Sequence, residues 1–310
     1  MPAPPSRPAS PLAEELDDTA FFDTVDELQQ HGINVQDIVK LKAAAITTVS
    51  GVNMTTRRQM LKIKACRHCL EAAHKMLGSS FATGLEMQDK RKRVLAISTG
   101  SKSVDAMLGV YGEYRTGKTQ LAHTISVIAQ LPPDLGGASG KVAFIDTEGT
   151  FRPDRIRSIA ERFGVNGDMA LENILYARAF NSEHQMELIN ECSVRFAEDK
   201  DFKLMIVDSI MALFRVDFSG RGELSERQQK LAQADRLVLQ STADPGATMT
   251  FVAGGALKPI GGHIISHASA TRIFLRKGRA EERVAKLVDS PDKPESEASY
   301  KLDEGGWADV

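Results

Sequence analysis

Gly112-Glu113-Tyr114-Arg115-Thr116-Gly117-Lys118-Thr119 fits G-x-x-x-x-G-K-[ST], the pattern of a phosphate-binding P-loop. Successive backbone N–H groups must turn inward to wrap a polyphosphate, and glycines keep side chains out of the way. Lys118 supplies a point charge for β- and γ-phosphates, and the Thr119 hydroxyl can complete a Mg²⁺ shell. The apolar, helix-forming run Gln120–Leu131 follows at once, so its N-terminal dipole would face the phosphates. A Gly-rich turn capping an ordinary helix would give the same local string, so the reading depends on what surrounds it.

Downstream, "KVAFIDTEGTF" carries a buried strand over Val142–Ile145 that ends in Asp146-Thr147-Glu148. "FKLMIVDS" is an almost wholly apolar strand ending in Asp208-Ser209. Between them, Ile156–Phe163 and Ser182–Phe196 read as helices and Asn173–Ala177 as a short strand. Apolar strands alternating with helices predict an α/β fold with a mostly parallel sheet covered on both faces. Ligands of such sheets bind at the C-terminal ends of the strands. Asp208, after four apolar residues, therefore reads as the acid that holds Mg²⁺, often through water. Glu148 reads as the base that orients or deprotonates a water attacking the γ-phosphate. Either acid alone would be an ordinary strand-end cap; the P-loop in the same chain gives them their chemistry.

The chain has 310 residues, 42% hydrophobic and 26% charged, which suits a globular protein with a sizeable core. A net charge of −2 advertises no nucleic acid globally, so such binding would have to come from local basic segments. Three cysteines argue against a disulfide framework, and no apolar run approaches membrane-spanning length. The expectation is an intracellular protein with no membrane contact.

Residues 1–20 read as a disordered tail, rich in Pro and Ser and then acidic. Residues 21–78 read as a small helical domain in which Gly32 and Asn34 separate one helix from the next. "VQDIVKLKAAAITTVSGVNMTTRRQMLKIK" reads as helix, turn, helix, with Thr55 or Thr56 as the second N-cap. Such a unit can bind nucleic-acid backbones through its amides and Arg57, Arg58 and Lys62, or can serve only as a packing bundle. Cys66, His68, Cys69 and His74 fit one face of a helix over Ala65–Leu77 better than a zinc site, which needs two well-spaced ligand pairs. Residues 79–95 form a linker in which Phe81 stands alone, an anchor for a neighbouring subunit or a contact to its own domain. Its basic run Lys90–Arg93 suits nuclear import or plain solvation. The ATPase-like core would span 96–310.

Within that core, "SIMALFRVDFSGRGELSERQQKLAQ" reads as a polar loop carrying Arg215, Arg221 and Arg227. "STADPGATMTFVAGGALKPIGG" is a second long segment without periodicity, of the kind that is usually functional. Two such loops beside a nucleotide site suit a single-stranded polyanion. "TRIFLRKGRAEERVAKLVDSP" reads as a hairpin around Gly278, and the tail beyond Pro291 is loosely patterned.

The strings "GEYRTGKTQLAHT", "FIDTEGTFRPDR", "LYARAFNSEHQMEL", "DSIMALFRVDFSGRGELSERQQKLAQ", "TADPGATMTF", "PIGGHIISHASATRIFLRKGR", "HGINVQDIVKLK" and "MTTRRQMLKIK" resemble the eukaryotic RecA-type recombinases, and among them the meiosis-specific branch. They cover most of residues 24–64 and 94–294. The resemblance implies a nuclear, ATP- and Mg²⁺-dependent enzyme that forms rings or filaments on single-stranded DNA, pairs it with duplex DNA and exchanges strands with the help of recombination mediators. Carried over by position, Gly112 through Gln120 bind nucleotide, Thr119 and Asp208 hold the metal, and Lys118, Glu148 and Gln240 are catalytic, Gln240 as the γ-phosphate sensor. Arg155 matches the arginine that packs on adenine. Asp289, Pro291 and Pro294 match the cap that a neighbouring subunit lays over ATP. Arg215, Arg221 and Arg227 fall in the first DNA-binding loop, and Asp244, Pro245 and Gly246 in the second. Phe81, Gly84 and His267 match the subunit interface.

The chain also departs from that family. Gly84 stands where alanine is usual, and "ACRHCLEAAHKM" replaces half of the DNA-binding hairpin unit. Leu108-Gly109-Val110-Tyr111 leads almost directly into the P-loop, so the strand that should carry it is expected to be incomplete. "LAQADRLVLQSTADPG" is short of most of a helix and half a strand, too little for a parallel crossover of a dozen or more residues. These losses keep open a second reading, a non-catalytic or defective isoform that joins recombinase filaments and modulates them.

Overall fold

The computed structural model describes residues 24–44, 46–64, 68–77, 83–85, 88, 97–99, 101, 110–112, 115–218, 220, 222–234, 239–243, 272–279, 281–290 and 293–310. The chain divides into two compact units, Met1–Gly78 and Ser79–Val310.

In the first unit a 3₁₀ helix, Val25–His31, starts where the Glu27 carboxylate accepts from the Thr24 N–H at 3.3 Å. It stops at Gly32, whose φ of 81° is the left-handed conformation that glycine adopts without strain. Asn34 then caps α1, Val35–Ala43, by accepting from the Gln36 N–H at 3.0 Å. The sequence suggested one turn and one further helix before residue 64, whereas the structure has two helices there. Thr48 and Thr56 each offer a hydroxyl to an orphan N–H, Gly51 at 3.0 Å and Gln59 at 3.3 Å. They begin α2, Val49–Met54, and α3, Arg57–Lys62. With α4, His68–Leu77, these helices bury Leu28, Ile38, Leu41, Val49, Val52 and Met60, and Cys69 lies in the same core.

The second unit is built on a sheet that contains nine strands among the described residues, in the order β3-β2-β4-β5-β1-β6-β7-β8-β9. These are β1 Val110–Gly112, β2 Lys141–Asp146, β3 Ile174–Arg178, β4 Phe202–Asp208, β5 Leu239–Ala243, β6 Arg272–Lys277, β7 Arg283–Asp289, β8 Ser296–Asp303 and β9 Gly306–Asp309. Pairing is parallel from β3 across to β6 and antiparallel from there to β9. The helices are α5 Lys118–Ile128, α6 Pro153–Arg162, α7 Gly167–Glu172, α8 Ser182–Glu198, α9 Ala212–Asp217 and α10 Leu224–Ala234.

Side-chain alternation along β2 decides which helices cover which face. Val142 and Phe144 pack with Leu204, Ile206, Val127, Ile156 and Ile159, under α5 and α6. Ala143 and Ile145 pack with Val207, Ile189, Phe214 and Leu231, under α8, α9 and α10. Arg215 and Arg227 therefore sit on helices rather than in a polar loop, because Phe214 and Leu231 anchor those helices in the core.

Two other expectations change and one holds. The strand that leads into the P-loop is short, as expected, but the three residues of β1 still pair with β5 on one side and β6 on the other. The crossover from β4 to β5 is also long enough, since residues 209–238 hold α9 and α10 and bring β5 beside β4 in parallel register. The tail past Pro291 forms a hairpin, β8 and β9. Ala298, Tyr300 and Leu302 alternate toward the core with Leu121, Ile273, Leu275 and Trp307, while Glu297, Lys301 and Asp303 face out. No helix among the described residues is long and apolar enough to cross a membrane.

Phe144 is fully buried in β2, between β3 and β4. Phe144→Ala should cost about 3–5 kcal/mol by lost transfer free energy plus the cavity left behind, read as a lower midpoint in urea unfolding.

Candidate functional site

The parallel register of β2 and β4 sets Asp146 directly opposite Asp208 at the C-terminal edge of the sheet. Both carboxylates are buried, and their surroundings differ. Asp146 accepts backbone N–H bonds from Glu148 at 2.9 Å, Gly149 at 2.6 Å and Phe151 at 3.1 Å. Arg178 and the Tyr176 hydroxyl also donate to it, at 3.1 and 3.3 Å. A buried charge held this way is satisfied. Its work is to fold residues 147–151 into one turn, which points Glu148 outward into solvent.

Asp208 is only 2% exposed, and its Oδ2 has no hydrogen-bond partner among the described residues. The Thr119 hydroxyl, in the first turn of α5, bonds to this carboxylate. Burial first, then the nearby charges of Glu148 and Asp146, push the Asp208 pKa up to about 6, against the pull of the Thr119 bond and of Lys118. An orphaned buried carboxylate oxygen beside a threonine hydroxyl is an oxygen donor set suited to a hard cation such as Mg²⁺. The next residue, Ser209, exchanges hydrogen bonds with Thr147 across the strand ends, at 2.8 and 2.9 Å, and its hydroxyl donates to Glu148 Oε1 at 3.2 Å. Asp208, Ser209 and Glu148 are thus one connected group.

The P-loop stands beside them. β1 ends at Gly112, and Glu113 and Tyr114 lie outside the described residues. Arg115 at φ 63° and Gly117 at φ 94° take left-handed conformations, the backbone curvature that turns amides toward an anion. Gly117 must be glycine twice over, since an added Cβ would also lie 2.7 Å from Leu302. Lys118, the first residue of α5, is 94% buried, an unusual state for lysine, and its charge acts on Asp208.

His123 ties the P-loop helix to the Asp146 turn. Its Nδ1 donates to the Thr119 carbonyl at 2.7 Å and its Nε2 accepts from the Arg152 N–H at 3.1 Å, with Phe151 stacked on the ring. Burial lowers its pKa, in keeping with the neutral imidazole this pattern requires. Nothing in the sequence marked His123, Asp146, Thr147 or Ser209 as parts of a site, because none belongs to a short motif. Arg155 donates from Nε to Gln120 at 2.7 Å and reaches the carbonyls of Asp303 and Glu304. It therefore joins α6 to the start of α5 and to the C-terminal hairpin.

Gln240 lies in β5 opposite Val207, one residue before the position that faces Asp208. Asp289 pairs with Arg272, and Pro294 is exposed. Arg215 and Arg227 are half-buried on α9 and α10. Around an added Cβ at Gly84 no atom of the described residues lies within 4 Å, so among them an alanine fits. Phe81, Arg221, Asp244, Pro245, Gly246, His267 and Pro291 lie outside the described residues.

Residues 90–310 match the family model described as Rad51. The chain is 52% identical to the Homo sapiens meiotic recombination protein DMC1/LIM15 homolog, over 95% of this chain and 95% of that one. It is 53% identical to the Candida albicans meiotic recombination protein DLH1, over 93% and 97%. With the Saccharomyces cerevisiae meiotic recombination protein DMC1 the identity is 50%, over 92% and 94%. The alignment with the human protein spans 324 positions, more than the 310 residues of this chain, so some positions of that relative have no counterpart here.

A carboxyl whose folded pKa lies above its unfolded value favours the fold when protonated. The Asp208 charge therefore destabilises the metal-free protein above about pH 6, and this penalty fades as pH falls toward 3.8. In chelator, Asp208→Asn should melt above the wild type at pH 8, with the gap closing by about pH 4 on the scale of carboxylate titration.

Proposed function

The chain belongs to the Rad51 family, and from that premise we propose that it is a meiotic recombination enzyme that hydrolyses ATP and exchanges DNA strands. The observation that carries this reading is the unsatisfied Oδ2 of buried Asp208, next to the P-loop hydroxyl of Thr119. A P-loop fold that served only as scaffold would have no reason to keep such an atom.

The left-handed turn at Arg115–Gly117 and the N-terminus of α5 receive the triphosphate, with Lys118 on its outer phosphates. Mg²⁺ held by Thr119 and Asp208 would neutralise charge on the β- and γ-phosphates. Glu148, pointed outward by the Asp146 turn and hydrogen-bonded by Ser209, takes a proton from the attacking water. Arg155 and Gln120 flank the site where the base would lie. Gln240, in the strand beside Asp208, senses the γ-phosphate from the neighbouring strand end.

Arg215, Arg221 and Arg227, with the segment around Asp244-Pro245-Gly246, take the single-stranded DNA and the incoming duplex. Filaments or rings form through Phe81, Gly84 and His267, with Asp289, Pro291 and Pro294 of one subunit closing over the nucleotide of the next. Recombination mediators engage the assembly in the nucleus. The positions missing relative to the human protein give the second reading its footing: a member that joins filaments without turning over ATP.

ATP hydrolysis by the purified chain, with and without single-stranded DNA, separates the two, with Lys118→Ala as the blank. Turnover above the blank and raised by DNA is expected, and Glu148→Gln should lower it by about 10²–10⁴-fold while nucleotide still binds. Soluble, folded protein with turnover no higher than the blank would make the chain a non-catalytic member of the family.

A further inference from the structure

Tyr300 and Trp307 stand outside every motif in the chain, yet both donate hydrogen bonds directly to the P-loop backbone. They lie on the two strands of the C-terminal hairpin, both fully buried, with rings stacked at 3.7 Å between centroids and 9° between planes. The Tyr300 hydroxyl donates to the Thr116 carbonyl at 2.7 Å. The Trp307 indole Nε1–H donates to the Gly117 carbonyl at 3.0 Å. These are two consecutive carbonyls of the phosphate-binding loop.

We propose that Tyr300 and Trp307 are positioning residues for nucleotide binding, which aim the amides of Gly117 and Lys118 by holding the carbonyls of the same two peptide planes. The warrant is peptide geometry. Both planes are trans, and in a trans peptide the C=O and the following N–H point in opposite directions. Tethering the Thr116 carbonyl toward the hairpin therefore turns the Gly117 N–H away from it. Tethering the Gly117 carbonyl does the same for the Lys118 N–H. On the reading of the left-handed turn at Arg115–Gly117 as a phosphate cradle, that is the side on which the triphosphate would be received.

The Gly117 carbonyl also accepts the first helical bond of α5, from Leu121 at 2.8 Å, so the indole occupies its second lone pair. The hairpin is itself pinned. The Trp307 N–H donates to Thr124 Oγ1 of α5 at 3.2 Å. Arg162 of α6 donates to the Gly305 carbonyl at 3.1 Å, and Arg155 holds the Asp303 and Glu304 carbonyls. Leu302 fills the space a side chain at Gly117 would need. A preorganised loop gives up less entropy on binding than one that must order itself around its ligand.

This inference rests on the nucleotide-site reading above, and the experiment tells failure of one from failure of the other. The dissociation constant of Mg²⁺ and a fluorescent ATP analogue is measured for the full chain, Tyr300→Phe and Trp307→Phe. Both changes keep an aromatic ring and remove one donor to the loop. Each should weaken binding about three- to tenfold, the worth of one buried hydrogen bond. In steady-state turnover the loss should fall on KM for ATP, with kcat within about twofold of wild type.

Trp307 is the chain's single tryptophan, so in Tyr300→Phe its emission reports whether the hairpin is still packed. Native emission with weakened binding is the expected result. Unchanged affinity with native emission overturns the proposal, as does weakened binding that appears only together with red-shifted emission and a lower melting temperature. If Tyr300→Phe does not fold, Trp307→Phe takes its place, with the melting temperature as the readout of packing: weakened binding at an unchanged melting temperature supports the proposal, and unchanged affinity overturns it. If the wild type itself binds no analogue, the nucleotide reading falls and this inference with it.

Discussion

Two acidic residues at the ends of neighbouring parallel strands cannot both be buried unless their charges are dealt with differently, and the whole site follows from how that is done. Asp146 is given five donors and becomes the fixed point of the turn that carries Glu148. Asp208 is given the Thr119 hydroxyl and keeps one oxygen open. The first arrangement is complete within the chain, whereas the second leaves one oxygen without a partner among the described residues, a donor of the kind a hard cation takes. β4 can hold an unfinished carboxylate because Val207 and Ile206 beside it are anchored on opposite faces, under different helices. The cost of the open oxygen falls on stability, which is where an active site is expected to place it.

Asp208 was legible because its chemistry coincides with a local pattern: four apolar residues, then a charge, at the end of a strand. The helix caps at Asn34 and Thr56 were legible for the same reason, as short-range rules. What escaped was set by partners distant in sequence. β1 is three residues long, too short for any periodicity, and exists because β5 and β6 take both of its edges. The helix bearing Arg215 is only six residues long and the one bearing Arg227 is mostly polar, and the burial of Phe214 and Leu231 against Ile145 and Val207 reveals them. The C-terminal hairpin hides its alternation behind charged residues on the exposed face, so that Ala298, Tyr300 and Leu302 do not read as a core set.

The shortened places relative to the family are instructive in the same way. Counting residues suggested an incomplete strand and a crossover too short to span the sheet, but a sheet needs only enough backbone to complete its ladder. Three residues of β1 bridge β5 and β6, and α9 and α10 supply the span between β4 and β5. The elements that remain are those that bring Asp208, Glu148 and the P-loop to one edge.

The P-loop has two sides, and a chain must satisfy both. If its amides are given to a ligand, its carbonyls need partners elsewhere, or the loop would leave buried acceptors unpaired. Here the partners of Thr116 and Gly117 lie 184 and 190 residues further along the chain. The loop's curvature is consequently not a property of its own glycines alone; it is completed only when the hairpin docks at the far end of the sheet. A ligand that favours the curved loop must then also favour the docked hairpin, because the same two peptide planes carry both sets of hydrogen bonds. Binding at the strand ends and packing of the C-terminal hairpin are in this way two readings of one equilibrium.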